Sequence, residues 1–191
     1  MTMTKNVTIA GVLGGIVLFI WGAVSHMMLP LGMAGLRSMS ATQESAVVSA
    51  MQTAMHERAI YFFPGMDTSR KPSPEEDAAW KAKHASGPAG IVVFNPRPGS
   101  PMSAGMLLTE LASNVVAALL AALVIGFVPS LLGYGKRVLL VGLMGLLVAI
   151  DVDVSYWNWY GFPTSYLLAQ LVDHFVGWLL AGLVIARFSR G

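Results

Sequence analysis

Cysteine is absent from the chain, which excludes disulfides, thiolate metal ligands and thiol nucleophiles together. Charge is scarce as well, with 12% of residues Asp, Glu, Lys or Arg against about 25% in ordinary soluble domains. The net charge of +2 comes mainly from Lys and Arg beside apolar runs, and no basic face with interleaved aromatics excuses a nucleic-acid partner. Phosphate loops, dinucleotide fingerprints, His-Glu-x-x-His strings and Glu-x-x-His pairs are missing too. Ser25 and His26 are adjacent, but neighbours on a helix point about 100° apart, so they make a poor nucleophile–base pair. These absences favour a structural or binding role over an enzyme.

Apolar length is what the chain has in abundance. Hydrophobic residues make up 55% of it and the mean hydropathy is +0.64. Four runs reach the roughly 20 residues needed to cross a bilayer: Val7 to Leu29, Met106 to Val128, Val138 to Trp157 and Ser165 to Ala186. The expected fold is an all-α membrane protein, with four transmembrane helices in an antiparallel bundle and a small α+β extracytoplasmic cap. The divisions are 1–29 for the N-terminus and first span, 30–105 for the cap, 106–128 for the second span and 129–137 for a cytoplasmic loop. Residues 138–157 form the third span, 158–164 an outer aromatic turn, and 165–191 the fourth span and tail. Lys5 ahead of an apolar stretch resembles a secretory leader, but the stretch exceeds the usual leader length and is expected to remain as a span.

Each run carries small residues at helical spacing that lead to a polar side chain. The faces are Gly11, Gly15, Gly22 and His26; then Glu110, Asn114, Ala118, Ala122 and Gly126. Gly142, Gly145, Ala149 and Asp153 follow, and then Gln170, Asp173, His174, Gly177 and Ala181. Positions three or four apart share a helix face, and small faces let backbones approach closely in lipid. The polar ends are therefore expected to converge in the outer half of the membrane. Asp151 is about 200° around the helix from Asp153, so it belongs to another face together with Ser155.

Lys5, Lys136, Arg137, Arg187 and Arg190 flank the spans on one side, which places both termini in the cytoplasm by the positive-inside rule. The long segment from Pro30 to Gly105 then lies outside. In it, Ser40 and Gln43 form a capping-box pattern before a helix expected over Ala41 to Arg58, with Val47, Val48, Met51 and Met55 on one face, expected to rest on the bundle mouth. Ile60–Phe63 and Ile91–Phe94 read as short strands able to pair. Between them Ser73, Pro74, Glu75 and Glu76 start a short exposed helix that Gly87 stops after His84. The Pro-rich stretch Asn95 to Pro101 reads as a rigid return to the second span.

Tyr156, Trp157, Trp159, Tyr160, Phe162 and Tyr166 cluster around the last turn, the composition of an outer aromatic belt or of a wall for a lipid or quinone-like ligand. Ionisable groups in a membrane are costly, which makes the polar cluster the functional candidate. Three readings fit it. A structural network would use Asp153 or Glu110 with His26 or His174 to hold helix register, including in an accessory subunit of a homo-oligomer or larger complex. A divalent metal centre would use His26, Glu110, Asp153, Asp173 and His174, with Asn114 and Gln170 as polar neighbours. Proton or small-substrate transport would use Asp173 and His174 as titrating groups, but the inner halves of the spans offer no relay.

Trp21-Gly22, Ser25-His26, Leu29-Pro30, Tyr61 to Gly65, Tyr156 to Pro163, Asp173 and Gly177 to Gly182 resemble small bacterial four-helix inner-membrane proteins of unassigned function. The resemblance implies a bacterial inner membrane and carries no activity with it. The missing cysteines make the topology directly testable. Ser49→Cys is expected to react with a membrane-impermeant maleimide in intact cells, and Gly135→Cys only after permeabilisation; the reverse pattern would invert the orientation.

Overall fold

The computed structural model describes residues 2–67, 69–128 and 132–188. Pro129, Ser130 and Leu131 of the expected cytoplasmic loop, and Arg190 of the tail, lie outside the described residues. The chain is mostly helical and divides into two compact units, one made of residues up to Arg37 with those from Met102 onward, the other Ser38–Pro101.

The first unit contains α1 (Thr2–Met27), α4 (Ala104–Gly126), α5 (Tyr134–Tyr160) and α6 (Thr164–Phe188). Among the described residues these four are long and apolar enough to cross a membrane, which implies a bilayer environment. Their bounds differ from the expected spans by a few residues at each end, because caps and not hydropathy end a helix. Ser103 accepts from Met106 N at the start of α4, and Gly161 ends α5 in the left-handed region at φ 70°. Lys136 and Arg137, expected in a loop, fall in the first turn of α5, where Arg137 is buried. Tyr134 Oη donates to Leu183 O at 2.8 Å and ties this end of α5 to α6.

Helix α1 packs on α4 and on α6, and α6 packs on α5. Glycine sets the approach. A Cβ on Gly11 would fall 2.6 Å from the Leu119 Cα, and one on Gly15 would fall 2.7 Å from the Val115 N. Both would strike the α4 backbone, which no rotamer change can relieve. Gly14 faces Ile185, Gly177 faces Trp21, Gly142 faces Leu179 and Gly182 faces Val138. Along each of these pairs one sequence number rises as the other falls, so the contacting helices run antiparallel. Ala10, Ala118, Ala122, Val141, Ala181 and Ile185 form the centre of this packing and have no exposed surface. After α1, a 3₁₀ turn at Pro30–Met33 folds back, and Gly35 at φ 79° lies close against Tyr166.

The second unit contains α2 (Ala41–Ala54), β1 (Ala59–Phe63), α3 (Pro74–Ser86) and β2 (Gly90–Phe94). The expected ribbon forms, with β1 and β2 antiparallel and Ile60 opposite Val93. Helix α2 ends four residues before the expected Arg58. Met55 turns extended as its cap, which leaves the chain free to enter β1 at Ala59. Val48, Met51 and Met55 line a groove with Phe94, Pro96 and Pro98 in the same unit. Both helices begin with a full capping box, Ser40 with Gln43 and Ser73 with Glu76. Trp80 Nε1 donates to Pro64 O at 3.0 Å and fastens α3 to the end of β1.

Glu76 has a second partner, since Arg70 Nη1 donates to its Oε2 at 2.8 Å. That guanidinium and then the Ser73 N–H hold the Glu76 carboxyl at about 2. A depressed carboxylate favours the folded arrangement above its unfolded value and loses that favour as pH falls through the folded one. The pairing at the start of α3 therefore weakens between about pH 4.5 and about pH 2.

Gly11→Ala and Gly15→Ala are each expected to destabilise the first unit by about 1–3 kcal/mol, the usual cost of overpacking. Gly105→Ala and Gly135→Ala, where a Cβ in the first turn of a helix meets at most an ordinary van der Waals contact, are expected to change little. Reversible SDS unfolding in mixed micelles measures both, and equal tolerance at all four positions would refute the close-approach account.

Candidate functional site

The polar ends of α1, α4 and α6 meet around a cavity of about 630 Å³ within the first unit. His26, Glu110, Asn114, Gln170, Asp173 and His174 all line it, with Trp21, Gly22, Phe19, Gly177 and Trp178 among its apolar walls. Six residues that the sequence marks as polar stripe ends thus share one space. Asp153 does not line it. Its side chain is buried on α5, within electrostatic reach of His174 and Tyr166. Among the described residues, no three His, Asp or Glu side chains gather closely enough to hold a metal ion.

The hydrogen bonds fix what each group presents. His174 Nδ1 lies 3.0 Å from Gln170 O. A carbonyl only accepts, so Nδ1 is the donor in this contact. His26 Nδ1 lies 2.8 Å from Ser25 Oγ and 3.2 Å from Gly22 O. Ser25 Oγ also reaches Gly22 O at 3.3 Å, and which of Ser25 Oγ and His26 Nδ1 donates to the other depends on the ring tautomer. Asn114 Nδ2 donates to Glu110 Oε1 at 3.2 Å, one turn away on α4. Asp173 Oδ1 is buried and has no hydrogen-bond partner.

Trp21 is the participant that polarity alone did not mark. Its Nε1 donates to Asp173 O at 3.0 Å, and Gly177 one turn further along α6 makes room for the indole. A Trp one residue before a small-residue stripe, with a Gly four residues from an Asp on another span, is the only sequence trace of this lock. Gly22 plays the opposite part. It belongs to the same stripe as Gly11 and Gly15, yet a Cβ there would meet nothing within 4 Å. The stripe closes against α4 at its N-terminal end and opens onto the cavity at its C-terminal end.

The aromatic cluster around Gly161 packs mainly on itself. Tyr156 stacks on Phe162 at 5.3 Å, and Phe162 meets Tyr166 edge-on at 5.1 Å. Tyr160 lies 5.9 Å from Tyr156, and Trp157 Nε1 donates to Thr164 Oγ1 at 3.1 Å. Trp159 is 77% exposed. None of them lines the cavity. Asp151 is exposed on α5 beside Leu147 and Ile150, and its carbonyl accepts from Ser155 Oγ at 2.9 Å.

No family model, curated protein or solved structure matches the chain. The chemistry of the cavity therefore carries the functional reading.

Trp21→Phe removes the indole hydrogen bond and keeps most of the apolar volume, and is expected to cost about 1 kcal/mol in SDS unfolding. Gly177→Leu displaces the indole itself and is expected to cost more. An unchanged midpoint in both variants would show that the lock contributes nothing.

Proposed function

We propose that the protein is a binding component of a bacterial inner membrane and that it holds a small molecule in the cavity between α1, α4 and α6. The one observation that carries this reading is the cavity itself. At about 630 Å³ it falls in the usual range for ligand sites, and its walls combine apolar surface with a few convergent polar groups. In this reading the four helices form an antiparallel transmembrane bundle with both termini cytoplasmic, and residues 38–101 form an extracytoplasmic cap. The cavity then sits in the outer half of the membrane.

Binding is favoured over transport because the fully buried centre of the packing, made of Ala10, Ala118, Ala122, Val141, Ala181 and Ile185, provides no polar continuation from the cavity towards the inner end. A metal centre on His26, Glu110, Asp153, Asp173 and His174 remains a second proposal, favoured by the ligand chemistry of two imidazoles beside carboxyl groups. It requires the side chains to draw together, and Asp153 to swing from its position on α5.

Gly22 supplies a test, since a Cβ there meets open space on the cavity wall and a larger side chain extends from that point. Protein extracted in a mild detergent is expected to retain a small molecule by native mass spectrometry, and Gly22→Leu is expected to lose it while keeping its unfolding midpoint. Retention by both proteins, or by neither, would refute the binding role.

A further inference from the structure

We propose that the ligand of this cavity is an amphipathic primary amine, bound as its ammonium with the charge at Asp173. The inference rests on the binding reading above and goes further, to the sign of charge and the hydrogen-bonding sense of the ligand.

Charge is the first argument. The cavity wall includes the carboxyl groups of Glu110 and Asp173 but no Lys or Arg. A positive group inside would meet attraction from both acids, whereas a phosphate or carboxylate would meet repulsion with no cation to offset it. Asp173 is half-buried on the cavity wall, so its carboxyl group can be approached from the cavity, although its Oδ1 is closed off without a partner.

Hydrogen-bonding sense is the second argument. His174 Nδ1 faces the Gln170 carbonyl on its own helix, so a ring protonated there alone presents Nε2 as an acceptor. Asn114 spends a donor on Glu110, and Trp21 spends its only one on the Asp173 carbonyl. Gln170 adds an amide with donors as well as an acceptor, and beside it the two carboxyl groups, when ionised, supply only acceptors, so acceptors outnumber the spare donors of the wall. A ligand that satisfies it must bring hydrogens, and an ammonium brings three.

Shape is the third. The same cavity is walled by Leu18, Phe19, Leu107 and Trp178, which suits an apolar or aromatic body, and aromatic faces attract cations. A bare metal ion would leave that surface unused and lacks a ready set of three ligands among the described residues.

The test compares three probes of one shape, 4-phenylbutylamine, 4-phenylbutanol and 4-phenylbutanoate, by titration calorimetry at pH 7 on the full chain in mild detergent. The amine is expected to bind one to one, at least tenfold tighter than the alcohol, with no binding of the carboxylate. Asp173→Asn is expected to raise the amine Kd tenfold or more, Asp173→Glu to retain binding, and Gly22→Leu to abolish it. The comparison of probes on the unaltered protein stands even if a variant fails to fold. An alcohol that binds as tightly as the amine, or a carboxylate that binds more tightly, would overturn the proposal while leaving the cavity a binding site. Stoichiometric zinc binding lost in His174→Ala, with no binding of the amine, would replace the amine by a metal. If none of the three probes binds, the amine proposal falls, and ligand retention in the Gly22→Leu experiment separately decides the broader reading.

Discussion

Close approach of helix backbones is the constraint on which the rest of the first unit depends. Lipid tails are as apolar as leucine side chains, so helices in a bilayer gain little by hiding apolar surface from lipid and associate through tight packing instead. Gly11 and Gly15 lie so close to the α4 backbone that even a methyl group does not fit. Gly142 and Gly182 perform the same service between α5 and α6. The large apolar side chains are left on the outside, as Ile20, Leu120 and Leu147 illustrate.

The same constraint explains why there is a cavity. A stripe that continued to close beyond Gly15 would bring α1 against α4 along its whole length and leave no space for polar groups. At Gly22 the contact stops, and Trp21 and Trp178 line the space that opens beyond it. Polar residues tolerated there are those with a local partner: His174 on Gln170, His26 and Ser25 on Gly22, Asn114 on Glu110. Asp173 differs in having one oxygen closed off without a partner.

The second unit is held by different means. Side-chain caps and ribbon pairing order it, and its helices carry no fully buried residues. The clustering of Ser73, Arg70 and Glu76 at the head of α3 stays charged through ordinary pH and orders the helix start. Cysteine cross-links are unnecessary to such a fold, and the chain has none.

Spans, caps and strands were legible in the sequence because each is a local pattern: a run of about 20 apolar residues, a Ser three residues before a Gln or Glu, a β-branched and aromatic quartet. The stripes were legible for the same reason, since helical period alone puts His26 on the face of Gly22 and Asp173 near that of Gly177. Which glycine closes and which stays open is not a local property. Gly15 and Gly22 are the same residue on the same face, and only the rotation of α1 against α4 makes one a contact and the other a wall of the cavity. Asp153 shows the same limit: its stripe predicts a polar meeting, but α5 packs on α6 and not on α1, so it stays beside the cavity. Sequence by itself determined the elements and their faces, through backbone sterics and hydropathy acting over one or two turns. Tertiary structure alone decided which faces meet, because helix pairing depends on the fit of whole surfaces far apart in the chain.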